Sequence, residues 1–161
     1  WGTDEQKERY LRPLLEGTQM SCFAMTEPEV AGSDPTLIRT TAIKDGDEWV
    51  INGHKWFISN AHRAAFAILI ARTEDNPDLP QAANTAFIVE SHWEGWNRVR
   101  EIETMHGSTG HSEIVIEDLR VPDENVLGGR GNGHKLGQSR LGPARPTRTM
   151  SPARGARRCS R

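Results

Sequence analysis

Between Met20 and Pro122 the chain is cut into short apolar or alternating runs by residues that turn a backbone. That rhythm restricts the fold more than any other feature of the sequence. The runs cover 21–25, 37–43, 48–51, 54–59, 66–71, 85–90, 98–102 and 112–121. Lys44-Asp45-Gly46-Asp47, Asn60-Ala61-His62 and a Pro-containing stretch at 74–83 separate several of them. Asn52-Gly53 is a two-residue hairpin signal, and Pro122 ends the last run. Short strands at such spacing predict a mainly β fold, a sandwich or barrel.

Helical signals flank this region. Thr3-Asp4-Glu5-Gln6 has capping-box form and predicts a helix from Asp4 into Leu11. Pro13 is expected to interrupt it, and a further turn ends at Gly17. The amphipathic piece is expected to pack on material preceding Trp1. Gly128-Gly129-Arg130-Gly131-Asn132-Gly133 does not match GxGxxG, because His134 falls where the last Gly is needed. It reads as a hinge into a helix starting near His134. The chain therefore divides into 1–19, 20–127, 128–145 and a tail at 146–161. Residues 1–145 carry a net charge of −7, whereas the tail carries five Arg and no acid. The tail has no apolar periodicity and is expected to be disordered.

The candidates for chemistry start with Phe23 to Asp34, a strand feeding a polar turn. Thr26, Gly32 and Ser33 there can offer donors to an anion or a polar ring edge. Glu27 is a possible acid or base, although beside Pro28 it more often fixes a loop. Cys22 in an apolar run reads as a buried small residue. His106 and His111 are spaced HxxxxH, and His54 and His62 flank a strand. No Cys or carboxylate cluster supports them, so no metal site is assigned. No serine sits in a nucleophile elbow. Trp49, Trp56 and Phe57 suit either a core or a stacking surface. On a regular strand Phe57 and Ser59 share a face, so a flat ligand on Phe57 would meet Ser59 at its edge.

These blocks, in this order, resemble the acyl-CoA dehydrogenases. The likeness rests on Gly2-Thr3-Asp4-Glu5-Gln6-Lys7 with Tyr10-Leu11, then Thr26-Glu27-Pro28 followed by Gly32-Ser33-Asp34. It continues through Gly46 to Lys55, Ile58-Ser59-Asn60, Glu113 to Pro122 and Asn125 to Gly128, and it spans 1–145. It implies a flavoenzyme in which a middle β-barrel lies between two helical domains. This chain would hold the end of the first helical domain, the complete antiparallel barrel and the start of the last helices.

By the same resemblance, FAD would be contacted by Phe23, Met25, Thr26, Gly32, Ser33, Phe57 and Ser59. Thr26 would donate to the flavin pyrimidine edge, and Ser59 would approach N5 and O4. Ser33 would also adjoin the acyl-CoA, and Arg145 matches an Arg that fixes the thioester ligand. The implied reaction is oxidation of an acyl-CoA to the 2,3-enoyl-CoA, with an electron-transferring flavoprotein as acceptor and a homo-oligomeric parent. No residue matches the family's catalytic Glu, so no catalytic residue is assigned and the chain alone is expected to be inactive. The compartment is open: cytoplasmic in a bacterium, mitochondrial or peroxisomal in a eukaryote.

The loop from Thr26 to Asp34 has one residue more than the commoner Thr-Glu-Pro-Gly-Ala-Gly-Ser-Asp. It resembles a subgroup whose loop reads roughly TEPDVASSD. After Arg145 the likeness stops, which suggests a frameshift or truncation near Ala144 to Pro146. Two other readings compete, a non-catalytic β-barrel interaction module and a nucleic-acid binder using the Arg tail. The acidic body and the lack of aromatics among those Arg argue against the second. No apolar run is long enough to span a membrane.

Overall fold

The computed structural model describes residues 1–32, 34–74 and 80–139. The N-terminal helix opens as α1 (Asp4–Gln6), widens to a π-helix at Lys7–Leu11 and returns to α-helix in α2 (Arg12–Leu15). The capping box forms: Gln6 N donates to Thr3 Oγ1 at 3.2 Å, and Thr3 N donates to Gln6 Oε1 at 3.1 Å. Pro13 does not interrupt the helix. The Arg12 N–H reaches back to Lys7 O, five residues away, so the turn before Pro13 is already widened. A π-bulge of this kind lets a helix pass a residue that lacks a donor. The inner face packs on the chain's own strands, with Tyr10 buried against Phe66 and Ile88. That corrects the expectation of a partner preceding Trp1 for this face.

Eight strands follow: β1 (Ser21–Ala24), β2 (Thr41–Asp45), β3 (Glu48–Ser59), β4 (Phe66–Arg72), β5 (Asn84–Glu90), β6 (Trp96–Thr104), β7 (Gly107–Pro122) and β8 (Val126–Leu127). They form one sheet in the order β6-β7-β3-β2-β4-β5-β8, with β1 added on β4. Most pairs are antiparallel, but β1 runs parallel to β4, and β2 meets β4 in parallel at Thr41 and Arg72. The all-antiparallel expectation is corrected to that extent. Among the described residues no ladder joins β6 to β8, so the pairing path is open.

The sheet nevertheless curls over one interior. Trp49 of β3 meets Phe87 of β5 edge-on, with centroids 5.5 Å apart, although these strands are not neighbours. Cys22, Ala24, Ile51, Leu69, Val89, Ile114 and Leu119 fill the same core. Burial pushes the Cys22 thiol up to about 12, so it packs as an inert apolar group. β4 and β5 are buried on both faces, because the N-terminal helix and residues 133–139, also helical, cover their outer side. The helix expected near His134 is thus present, starting at Gly133.

Asn52-Gly53 is not a hairpin. β3 runs straight through it, and neither residue has the positive φ that a type I′ turn needs. Each has a different task. Asn52 caps a bulge in β7, accepting from Asp118 N at 2.8 Å and donating to Asp118 Oδ1 at 3.0 Å. Asp118 itself has φ +48°. Gly53 lies under Thr40, where an added Cβ would fall 2.3 Å from Thr40 Oγ1.

Candidate functional site

The site is built where the end of β1 meets the far half of β3. Lys55 pairs with Ile114 of β7 and Ile58 pairs with Ser112, so β3 holds one extra residue between them. This is a β-bulge, and it resets the alternation. With it, Ile58 fills the core while Phe57 and Ser59 both face out. Phe57 sits at φ +52°, a left-handed conformation that a bulky residue rarely adopts. The residue is 42% exposed, and its ring is edge-on to Trp56 and His111, with centroids 4.9 and 6.0 Å apart. Ser59 Oγ lies 3.0 Å from His111 Nδ1. Phe57 and Ser59 thus share a face as expected, but a bulge rather than a regular strand puts them there.

Thr26 is fastened beside this aromatic group. Trp56 N donates to Thr26 O at 3.0 Å, and Thr26 Oγ1 donates to Trp56 O at 2.6 Å. The hydroxyl proton is thus directed at Trp56 O in this structure. Gly32 lies against Thr26, where an added Cβ would come 3.3 Å from Thr26 Cγ2. Phe23, 47% exposed, points from the outer face of β1, and Met25 follows directly after that strand. They line a cavity of ≈ 880 Å³ with Leu14, Ile68, Ile88 and Leu136, between β1, β4 and β5 and the two helical flanks. Thr26, Phe57 and Ser59 lie outside that cavity, so the structure groups the expected residues on two adjoining surfaces. Ser33 and Arg145 lie outside the described residues, as does the tail from Pro146.

Below this surface is a charged anchor that the sequence reading missed. Lys55 and Glu27 are almost fully enclosed, at 0% and 1% exposure, with Nζ 2.8 Å from Glu27 Oε1. Lys55 also donates to Met25 O at 3.0 Å. Glu27 accepts further from Arg39 N at 2.7 Å, Thr40 N at 2.9 Å and Thr40 Oγ1 at 2.5 Å. Burial works against its charge, but Lys55 and these donors outweigh it and hold the carboxylate below its ordinary range. Burial pushes the Lys55 ammonium down to about 8, against the pull of Glu27. Glu27 therefore fixes the loop, the second of the two roles open to it.

A second grip lies on the outer side. His54 Nδ1 is 2.8 Å from Glu29 Oε1, and its Nε2 is 2.8 Å from Glu113 Oε1. Arg100 Nε donates to the other Glu113 oxygen. Adjacent basic residues, His54 and Lys55, thus hold alternate acids of one loop from opposite faces of β3. Two acids two apart and two adjacent cations on a strand were the available signal. Among the described residues no three His, Cys, Asp or Glu side chains gather as metal ligands.

The curled eight-stranded sheet with short helical flanks and an outward aromatic and hydroxyl surface defines a β domain of a recognisable kind. Residues 22–119 match the model of the family described as "Acyl-CoA dehydrogenase, middle domain", and the chain belongs to the acyl-CoA dehydrogenase family. It is 39% identical over 153 residues to "Acyl-CoA dehydrogenase family member 11" of Gallus gallus, covering 90% of this chain and 19% of the relative. It is 41% identical over 149 residues to "Acryloyl-CoA reductase (NADH)" of Anaerotignum propionicum, covering 90% of this chain and 37% of the relative. Among solved structures it superposes on a putative acyl-CoA dehydrogenase from Mycobacterium abscessus with a TM-score of 0.83 and 37% identity. That match covers 90% of this chain and 37% of the other. The chain therefore spans well under half the length of these relatives.

Proposed function

We propose that this chain is the flavin-carrying part of an FAD-dependent acyl-CoA dehydrogenase, with residues 20–127 as the barrel-type middle domain. Residues 1–19 and 128–145 would be the adjoining edges of two helical domains. The observation that carries this reading is the Phe57 surface. A bulge at positive φ turns a large ring away from the core and places a hydroxyl two residues on. Exposing an aromatic ring and holding it in a strained conformation both cost stability, and a flat ligand laid on the ring recovers part of that cost. The residues present fit an isoalloxazine: Phe57 and Phe23 offer flat apolar support, and Ser59 and Thr26 offer polar contacts at the edges.

Bound FAD would supply the oxidised ring that accepts the hydride leaving the β-carbon of an acyl-CoA thioester. With its hydroxyl bonded to Trp56 O, Thr26 would meet a flavin edge through its backbone N–H. Ser59, shared with His111, would offer its hydroxyl as donor or acceptor. Gly32 would let the loop approach closely, Ser33 would contact the pyrophosphate and acyl-CoA, and Arg145 would contact the thioester ligand. No catalytic base is assigned to this chain. An electron-transferring flavoprotein as acceptor and a homo-oligomeric parent complete the proposal. The 41% identical acryloyl-CoA reductase supports a second reading, in which the same surface serves hydride transfer in the opposite direction.

The test is a titration of the isotope-labelled chain with FAD, followed by amide shifts. One wall of a site predicts weak binding, with a dissociation constant of about 1 mM. Shifts should concentrate at Phe23, Thr26, Phe57 and Ser59 and disappear in Phe57→Ala. No saturable shift, or shifts centred elsewhere, would overturn the assignment.

A further inference from the structure

Of the two grips on the loop after β1, one is enclosed and one reaches solvent. The enclosed grip joins Glu27 to Lys55. The outer grip is an alternating chain of charges, Glu29, His54, Glu113 and Arg100, that crosses from the loop through β3 and β7 to β6. Both imidazole nitrogens of His54 face carboxylate oxygens at 2.8 Å. An ionised carboxylate only accepts, so both contacts are hydrogen bonds only when both nitrogens carry protons. A neutral imidazole has one N–H, and one carboxylate then faces a lone pair. The geometry itself therefore selects the imidazolium.

We propose that His54 is a pH-dependent latch on the loop segment Pro28 to Gly32. Protonated, it ties Glu29 to Glu113 and holds the loop against β3. Neutral, it releases Glu29 and leaves the loop anchored, among the described residues, through Glu27 and Thr26. The groups that face His54 are Glu29 from the loop and Glu113 from β7, with Arg100 of β6 behind Glu113. The Lys55–Glu27 pair lies on the other side of the strand and stays closed while the latch opens. Burial opposes the charge on His54, but the two carboxylates together outweigh it and raise the imidazole above its ordinary value. A raised folded value means that the contribution is complete below the unfolded value of 6.5. It is lost as pH rises through the folded value, so acid closes the latch and alkali opens it.

The latch deepens the proposed function, because the loop it holds carries Gly32 and is rooted at Thr26. It is a property of the free chain, however, so its failure and the failure of flavin binding are separate results. The test uses the chain without ligand. Carbon-detected titration of the His54 ring is combined with hydrogen–deuterium exchange at pH 5.5 and 8.5, expressed as protection factors relative to β4 amides. Wild type should lose about threefold protection at Glu29 to Gly32 across the His54 titration, as suits a partly exposed ion pair. Glu113 anchors the ring rather than the loop, so β7 amides should change less.

Two variants separate the latch from ordinary packing. His54→Gln should leave the loop at the open level at both pH values. His54→Arg keeps a permanent charge with several donors and should keep it at the closed level at both. The proposal is overturned if His54 titrates at or below 6.5, the ordinary value. It is equally overturned if the loop's protection ignores that titration, or if the Arg variant opens with pH like wild type.

Discussion

Removing the Lys55 ammonium tests the anchor beneath the loop. In Lys55→Met, Glu27 loses its only counter-charge among the described residues while remaining enclosed at 1% exposure. Three donors stay with it: Arg39 N, Thr40 N and Thr40 Oγ1. Breaking a buried ion pair by deleting one partner costs about 3–5 kcal/mol, because the survivor is left charged and dry. Those donors place Lys55→Met at the lower end, about 3 kcal/mol. In urea, with a slope of about 2–3 kcal/mol per molar for a domain of this size, the midpoint should fall by roughly 1 M. Adding Glu27→Gln removes the stranded charge and keeps a side-chain oxygen for the donors. The double variant should regain at least about half of the loss, an interaction energy of the size expected for residues in contact. A loss below about 1 kcal/mol in Lys55→Met would refute the reasoning, and so would a double variant that loses the sum of the two single changes.

Gly53→Ala should lower stability by about 1–3 kcal/mol, read as a lowered urea midpoint, because its methyl group would collide with Thr40, which holds Glu27. Phe57→Gly should move stability the other way. Glycine accepts φ +52° without strain, so thermal unfolding should rise by the equivalent of about 1 kcal/mol while the FAD-induced shifts vanish. A variant that both unfolds earlier and still binds flavin would contradict that.

The mainly β architecture and most strand positions could be read from the sequence, because turn residues act locally. Lys44 to Asp47 and Asn60 to His62 bend the chain wherever they occur. Asn52-Gly53 shows where that logic fails. The same dipeptide that closes a hairpin here serves two long-range needs: an amide to cap the β7 bulge at Asp118, and a missing side chain under Thr40. Both partners are remote in sequence, so nothing local marks them. The parallel pairing of β1 with β4 is likewise set by which strands meet in space. At the candidate site, what holds Thr26, Phe57 and Ser59 in place was not legible. The Thr26–Trp56 contact joins residues 30 positions apart, and His54 stood out only as a discarded metal candidate. Periodicity shows which face a side chain takes, and it does not show which distant group that face meets.

The two-point fastening of the loop root has an evolutionary consequence. Trp56 holds Thr26 and Lys55 holds Glu27, both before the chain reaches Pro28. Residues gained or lost beyond Pro28 change the span to Asp34 without displacing that root. Asp34 in turn starts the next short helix by accepting from Thr36 N at 2.9 Å. The nine residues from Thr26 to Asp34 thus run between two fixed posts. Such a segment is free to diversify by insertion and deletion while the posts keep their places.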